Sequence, residues 1–261
     1  MKPVNLLNAV VPSSGYTLQS GIVYGEDERQ KLDIYYPAAP VPGSRVIAFI
    51  YGGAWREGNR AEYEFVGQAL AEAGHTVIIP DYRLYPSVVF PDFVDDVADA
   101  ILAARLPLEM RSGDVVDEVV LMGHSSGAHT AALLAGDVSW LEKRGFRASA
   151  LVAISGPYDL PLEDPEVKPV FAGVQSEEQV IPVALVTSEH PPTLLIHGRK
   201  DERVLPFHTQ HYADALQRAG VRVEVQWLED TGHAFAIAGL AAPLDSSNRN
   251  RDRITSFLDL L

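Results

Sequence analysis

Leu121-Met122-Gly123-His124-Ser125-Ser126-Gly127-Ala128 is the stretch whose reading decides the fold of this chain. A continuous apolar run, Val119-Val120-Leu121-Met122, leads into it, and residues 128–135, rich in helix formers, lead out. Between them stands G-x-S-x-G, centred on Ser125. The pattern reads as a strand, a sharp turn and a helix, with a hydroxyl at the turn. Such a turn lifts Ser125 Oγ clear of the backbone at a helix N-terminus, where N–H groups favour developing negative charge. Glycines two before and two after let strand and helix pack closely. Five residues with three fixed also arise by chance, and a lone serine at this position also serves as a helix N-cap. The decision rests on whether the rest of the chain supplies partners for this serine.

Working outward, residues 46–51 and 76–80 are short apolar runs of the kind expected for strands covered on both faces. A helical pattern over 62–73, stopped by Gly74, separates them. Residues 93–106 read as a helix, with Asp95, Asp96 and Asp99 forming a solvated face. Further strands are expected over 150–154 and 193–197. A helix over 206–219 follows, closed by Gly220, and then a period-two stretch, 221–227, that suits an edge or half-covered strand. Upstream, 21–24 and 32–36 flank a charged turn and predict a hairpin. Residues 1–19 read as an arm or short helix. The last helix, about 247–260, carries Ile254, Phe257, Leu258 and Leu261 on one side. Strands alternating with helices predict an α/β protein: a mostly parallel eight-stranded sheet, helices on both faces, and the first hairpin as an antiparallel edge. One domain, 1–261, is expected. Proline-rich residues 156–192 interrupt the alternation and read as a cap-like insertion over the site.

Composition removes several classes of function. The formal net charge of −14 disfavours nucleic acid and anionic membrane surfaces as partners. With no cysteine there is no disulfide, thiol nucleophile or cysteine metal site. No stretch approaches about 18 consecutive apolar residues, so no spanning helix is expected. The first residues do not read as a signal peptide, which makes the cytoplasm the default location.

In such a sheet, ligands bind outside the C-terminal ends of the strands. After the third expected strand stand Gly52-Gly53-Ala54, after the fifth Ser125, after the seventh Gly198-Arg199-Lys200-Asp201, and after the eighth Gly232-His233. A nucleophile, a carboxylate, a base and a glycine turn therefore share one rim, in the chain order Ser, Asp, His that this architecture uses. Glu202 and Asp230 compete with Asp201, but Asp230 lies three residues before His233 and reads as a turn residue. Of eight histidines, His233 has the right place. His124 is expected to pack beside the nucleophile and His197 to end a core strand. His75, His129, His190, His208 and His211 read as surface or packing residues. No cluster has metal-ligand spacing, so no metal is expected.

Five pieces together carry a family resemblance: Tyr51-Gly52-Gly53-Ala54-Trp55, Asp81-Tyr82-Arg83-Leu84, Gly123-His124-Ser125-Ser126-Gly127, His197-Gly198 with Asp201 and Val204, and Gly232-His233. The sequence resembles an α/β-hydrolase, and more narrowly the esterase branch related to hormone-sensitive lipase and bacterial feruloyl-type carboxylesterases. The resemblance implies a cofactor-independent serine carboxylesterase. In it Ser125 attacks, His233 takes the proton, and Asp201 orients the imidazole. The backbone N–H groups of Gly53, Ala54 and Ser126 would form the oxyanion hole. Trp55, Tyr85, Tyr158 and Phe235 are the candidates for substrate binding, with Phe90 a further aromatic. The partner implied is a small-molecule ester, and a homodimer is left open. With cover only from 156–192, short acyl groups are expected. One residue departs from the pattern: Tyr51 stands where the family usually has histidine, and its hydroxyl has three fates open, bracing the loop, entering the pocket or neither. An arylformamidase acting on N-formylkynurenine-type amides is the alternative, because kynurenine formamidases resemble the chain in the Gly-Gly-x-Trp turn. A non-catalytic binding protein of hydrolase fold is the alternative from another class.

Overall fold

The structure is a computed structural model describing Asn8, residues 11–12, residues 14–241 and residues 250–261. Its strands are β1 (Tyr16–Val23), β2 (Lys31–Pro37), β3 (Val46–Ile50), β4 (Thr76–Pro80), β5 (Glu118–His124), β6 (Arg147–Ile154), β7 (Thr193–Gly198) and β8 (Val223–Leu228). Its helices are α1 (Glu64–Glu72), α2 (Asp92–Ser112), α3 (Ser126–Gly136), the single turn α4 (Ser139–Glu142), α5 (Phe207–Arg218), α6 (His233–Ala238) and α7 (Asn250–Leu258). The sheet order is β1-β2-β4-β3-β5-β6-β7-β8. β2 runs antiparallel to both β1 and β4, and all other neighbours are parallel. This is the mostly parallel eight-stranded sheet the alternation predicts.

Helices cover both faces because successive strand residues point to opposite sides. Leu32, Ile34 and Ile78 pack with Ala100, Ala104 and Leu108 of α2 in one cluster. Tyr35, Val77 and Ile79 belong to the other, larger cluster with Phe65, Val66 and Leu70 of α1. The chain leaves β3 toward β4 on one side and returns to β5 on the other. The C-terminal ends of β3 and β5 therefore flank the reversal of strand order, where open α/β sheets form their crevice. Gly52 and Ser125 stand at those two ends.

Three sequence expectations change. β1 begins at Tyr16, inside the stretch read as an arm, and its pairing with β2 is irregular between Gln19 and Ile22, around Gly21 at φ +74°. The rest of that arm, residues 1–7, 9, 10 and 13, lies outside the described residues, as do 247–249 of the last helix. α2 continues past Pro107 to Ser112 and closes on Gly113 in the left-handed region at φ 81°. The supposed solvated face of α2 is mostly paired: Asp96 is buried and accepts from Arg83 and Gln30, while Asp95 and Asp99 both bind Arg144. An acidic run on a helix cannot reveal cations brought by distant segments. Residues 156–192 form no strand or α-helix, only two 3-10 turns, Glu177–Val180 and Pro182–Leu185. They are anchored through buried Tyr158, Val170, Phe171 and Val180.

Candidate active site

Ser125 occupies a strained elbow between β5 and α3, at φ 56° and ψ −126°. A side chain in that region costs about 1–3 kcal/mol and persists only where its surroundings impose it. Here the constraint is close backbone packing. A Cβ on Gly123 would lie 2.3 Å from Gly127 O, and one on Gly127 would lie 2.1 Å from Ile50 O. Both motif glycines are thus required sterically. The Ser125 N–H donates to Ile154 O at 2.9 Å, pinning the elbow to the end of β6.

His233, at the start of α6, brings Nε2 to 2.9 Å from Ser125 Oγ and Nδ1 to 2.7 Å from Asp201 Oδ2. Asp201 lies in the turn after β7, where its Oδ1 accepts the backbone N–H groups of Arg203 (3.0 Å) and Val204 (2.9 Å). Burial alone would raise its carboxyl. Hydrogen bonds from His197 and His233, the charge on His233 and the Val204 N–H outweigh that and hold it well below the usual carboxylate range. Asp230, the competing acid, is exposed and paired with Lys200 at 2.7 Å. His124 packs its ring 4.9 Å from that of His233 and donates from Nε2 to His233 O at 3.3 Å. Burial, reinforced by the neighbouring His233, pushes His124 down to about 3. It stays neutral beside the His233 imidazole.

The turn after β3 has three successive residues at positive φ, Gly53 (142°), Ala54 (51°) and Trp55 (58°). Gly53 O accepts the N–H groups of Arg56 (2.9 Å) and Glu57 (3.1 Å), which coils the turn tightly. Tyr51 is wholly buried and points away from the crevice. Its hydroxyl donates to Asp81 Oδ1 at 2.9 Å and accepts from Arg29 Nη2 at 2.8 Å. Its ring stacks between Tyr63 and Tyr82, and Tyr82 donates to Tyr51 O at 2.8 Å. Asp81 also accepts the Arg60 N–H at 2.7 Å and pairs with the Arg60 guanidinium, and Arg29 reaches Gly58 O at 2.7 Å. Of the three fates open to Tyr51, the structure shows the first: its hydroxyl braces the loop.

A cleft of about 170 Å³ opens over Ser125. Ala54, Trp55 and Ser126 line one part of it, and Pro157, Leu160, Pro161 and Val167 another, with the charged residues Asp164, Glu166 and Arg203; Val204 and His208 complete the lining. Of the substrate-binding candidates only Trp55 is on its wall. Tyr158 is wholly buried and stacks on Tyr212, so it is core. Tyr85 lies outside the wall under the Arg56 guanidinium, and Phe235 is exposed on the first turn of α6. Phe90 packs against Phe93 and Phe171. Sequence reasoning missed Leu160, Pro161, Val167 and His208, which carry no periodic signal; Val204 was visible three residues after Asp201. A larger groove of about 750 Å³ lies at the opposite strand ends, beside Val46, Thr76 and Glu118, far from this chemistry. Among the described residues no group could hold a metal ion, and no helix is long and apolar enough to cross a membrane.

Residues 32–216 match the BD-FAE family. The chain belongs to that family. A probable isoprenylcysteine alpha-carbonyl methylesterase of Oryza sativa subsp. japonica is 29% identical, over 81% of this chain and 57% of its own. The probable carboxylic ester hydrolase LipM of Mycobacterium tuberculosis is 31% identical, over 87% and 58%. A kynurenine formamidase of Danio rerio is 24% identical, over 84% and 75%. The chain thus spans little more than half the length of the first two. Esterase B of Lactobacillus rhamnosis, solved with a tributyrin phosphonate inhibitor, superposes with a TM-score of 0.81 at 22% identity, over 98% of this chain and 91% of its own. The sheet and helices of this BD-FAE member are therefore those of the α/β-hydrolase fold.

Proposed function

We propose that this BD-FAE protein is a serine carboxylesterase for short-acyl esters, built as one domain on which residues 156–192 act as the cap. The observation that carries the reading is the continuous hydrogen-bonded line Ser125 Oγ, His233, Asp201, with Ser125 on a strained elbow at the crevice. Ser125 attacks the ester carbonyl while His233 Nε2 takes its proton, and Asp201 stabilises the imidazolium that forms. The developing oxyanion is met by the N–H of Ser126, which as the first residue of α3 has no acceptor within its helix, and by those of Gly53 and Ala54. His233 then gives its proton to the leaving alcohol, and water repeats the sequence on the acyl-enzyme. Relatives named for methylester and carboxylic ester hydrolysis support an ester over other acyl substrates. The cleft is well below the roughly 300–1,000 Å³ of drug-sized ligand sites, which favours short acyl chains.

A fluorophosphonate should label wild type at Ser125 and fail on Ser125→Ala, which should lose turnover by about 10⁴-fold or more while melting unchanged. Near-normal activity in that variant overturns the assignment. On a ladder of p-nitrophenyl esters, turnover should be best at two to four acyl carbons, about the size the cleft admits. A best substrate of twelve or more sets the short-acyl reading aside. Aryl-formamide hydrolysis is the second reading, because the formamidase relative is matched over three quarters of its length. N-formylkynurenine turned over faster than any simple ester would select it.

A further inference from the structure

Asp201 is shared by two histidines. His197, next to last in β7, is wholly buried, and its Nε2 lies 3.3 Å from Asp201 Oδ2 and 2.9 Å from Val204 O. A carbonyl only accepts, so Nε2 carries the proton and donates to Val204 O, with Asp201 Oδ2 as its second, longer contact. The ring's other nitrogen, Nδ1, is 2.6 Å from Thr209 Oγ1 and accepts that hydroxyl. Thr209 on α5 thereby fixes the tautomer of a residue on β7. Asp201 ends with two backbone N–H donors on Oδ1 and two imidazoles on Oδ2. Three hydrogen bonds and the longer His197 N–H contact surround the carboxylate, which leaves it no second orientation of equal energy.

We propose that His197 is a positioning residue that sets both the orientation of Asp201 and the share of its negative charge available to His233. The inference rests on reading Ser125, His233 and Asp201 as the catalytic set. A purely structural role, filling the end of a core strand, accounts for the burial. It gives no reason for a donor aimed at the one carboxylate behind the base, nor for a threonine holding the tautomer. Charge drawn toward His197 is charge not offered to the imidazolium, so His197 tunes the basicity of His233 downward. The titratable groups packed around it are Asp201, His233 on α6, His124 on β5 and His208 on α5. Burial pushes His124 down to about 3 and His208 down to about 4, so neither adds a charge beside the Asp201–His233 pair at neutral pH.

The test compares wild type, His197→Leu and His197→Gln by kcat, KM and the pH dependence of kcat/KM on p-nitrophenyl acetate. Rates are normalised to the fraction of serine labelled by fluorophosphonate. In His197→Leu, kcat per labelled site should fall about tenfold with KM within about twofold, the scale of one hydrogen bond to a charged group. The acid inflection of kcat/KM should move upward, because a carboxylate relieved of one donor holds the imidazolium more tightly. His197→Gln, whose amide N–H can reach the same acceptors, should recover most of the rate and return the inflection. An unmoved inflection with unchanged kcat in the leucine variant, or a glutamine variant no better than leucine, overturns the inference. Should the leucine variant fail to fold, nitrogen-15 spectra of the histidine-labelled wild type decide. A His197 ring protonated on Nε2 alone supports it, and one protonated on Nδ1 overturns it. A wild type that neither labels nor turns over refutes the esterase reading itself, which is a separate result.

Discussion

The two walls of the cleft are held by different forces. The 52–60 turn is fastened by directional, charge-bearing contacts. Arg29, Tyr51, Asp81, Arg60 and Asp33 form one linked set that ties both ends of the turn to β2, β4 and the β1–β2 turn. The 156–192 segment rests mainly on apolar packing and neutral histidines, with charged contacts confined to its exposed edge, where Arg56 donates to Glu166 O at 2.8 Å and His211 meets Asp159 Oδ2 at 3.1 Å. Phe171 sits against Trp55, Phe93 and His129, and Tyr158 against Tyr212. His129 donates to Val180 O at 2.8 Å, His208 accepts the Asp159 N–H at 3.3 Å, and His190 meets the Tyr212 hydroxyl at 2.8 Å. Hydrogen bonds to charged groups fix angles; apolar contacts fix little more than distance. On the proposed esterase reading, the wall that aims backbone donors at an oxyanion is the one held by angle. On the same reading, the wall that admits acyl groups of different shape is the one held by contact.

The sharpest way to break this contrast is Asp81→Asn. Asp81 is the only described carboxylate that meets Tyr51, the Arg60 backbone and the Arg60 side chain together. Removing its charge leaves the partly buried Arg60 with Asp33 alone, a loss of about 3 kcal/mol by analogy with other broken buried pairs. If these bonds aim the turn, kcat on p-nitrophenyl acetate should fall at least tenfold with KM within about twofold, since loss of one aimed donor reaches about 10²–10³. A variant destabilised by that amount but with wild-type kcat would show that the bracket serves folding only.

Acid should loosen the opposite wall first. Burial pushes His129, His190 and His208 down to about 4, against 6.5 when free. A depressed histidine contributes stability that is fully present above about 6.5 and is lost as pH falls toward about 4. His129 has an unpartnered, buried Nδ1 that would have to carry the new proton, and His208 would turn a donor against the Asp159 N–H. Melting temperature should therefore drop by at least about 5 °C between pH 7 and 4.5. Amide exchange should rise in 156–192 before it rises in 51–60, which is held through Arg29, Asp81 and Arg60. Equal exchange in both segments would erase the distinction.

How far the sequence could be read follows from the same division. Ser125, Asp201 and His233 were legible because each must follow a strand that an apolar run announces, and their chain order is that of the architecture. Trp55 was legible because it sits two residues past a glycine pair. The placement of β4 between β2 and β3 was not, since an apolar strand carries no label for its neighbours. Asp96 looked solvated and Tyr158 looked like pocket because their partners, Arg83 and Tyr212, arrive from segments 13 and 54 residues away. The wall from Pro157 to Val167 has no period to read: its residues are placed by what they cover. Tyr51 shows the limit most clearly. An apolar strand end followed by glycine says nothing of the Arg29 and Asp81 that meet its hydroxyl.

The smallest expected effect lies on the contact-held wall. Leu160 is almost fully buried at the cleft, with no polar atom in its side chain to aim anything. Leu160→Ala removes about three methyl or methylene equivalents of wall and should cost about 2 kcal/mol of stability, at the low end for such changes because the site opens to solvent. Turnover of the acetyl ester should stay within about twofold, because the line from Asp201 to Ser125 and the bracketed turn are untouched. The preferred acyl chain should lengthen by one or two carbons as the vacated volume is filled, each added methylene contributing about 0.8 kcal/mol when buried. The measurement is the ratio of kcat/KM on hexanoyl and butanoyl esters in variant and wild type. An unchanged ratio would mean that the acyl group lies elsewhere, against Trp55 and Val204. A large fall in acetyl turnover would mean that this wall, too, aims the chemistry, and the division between the walls would fail.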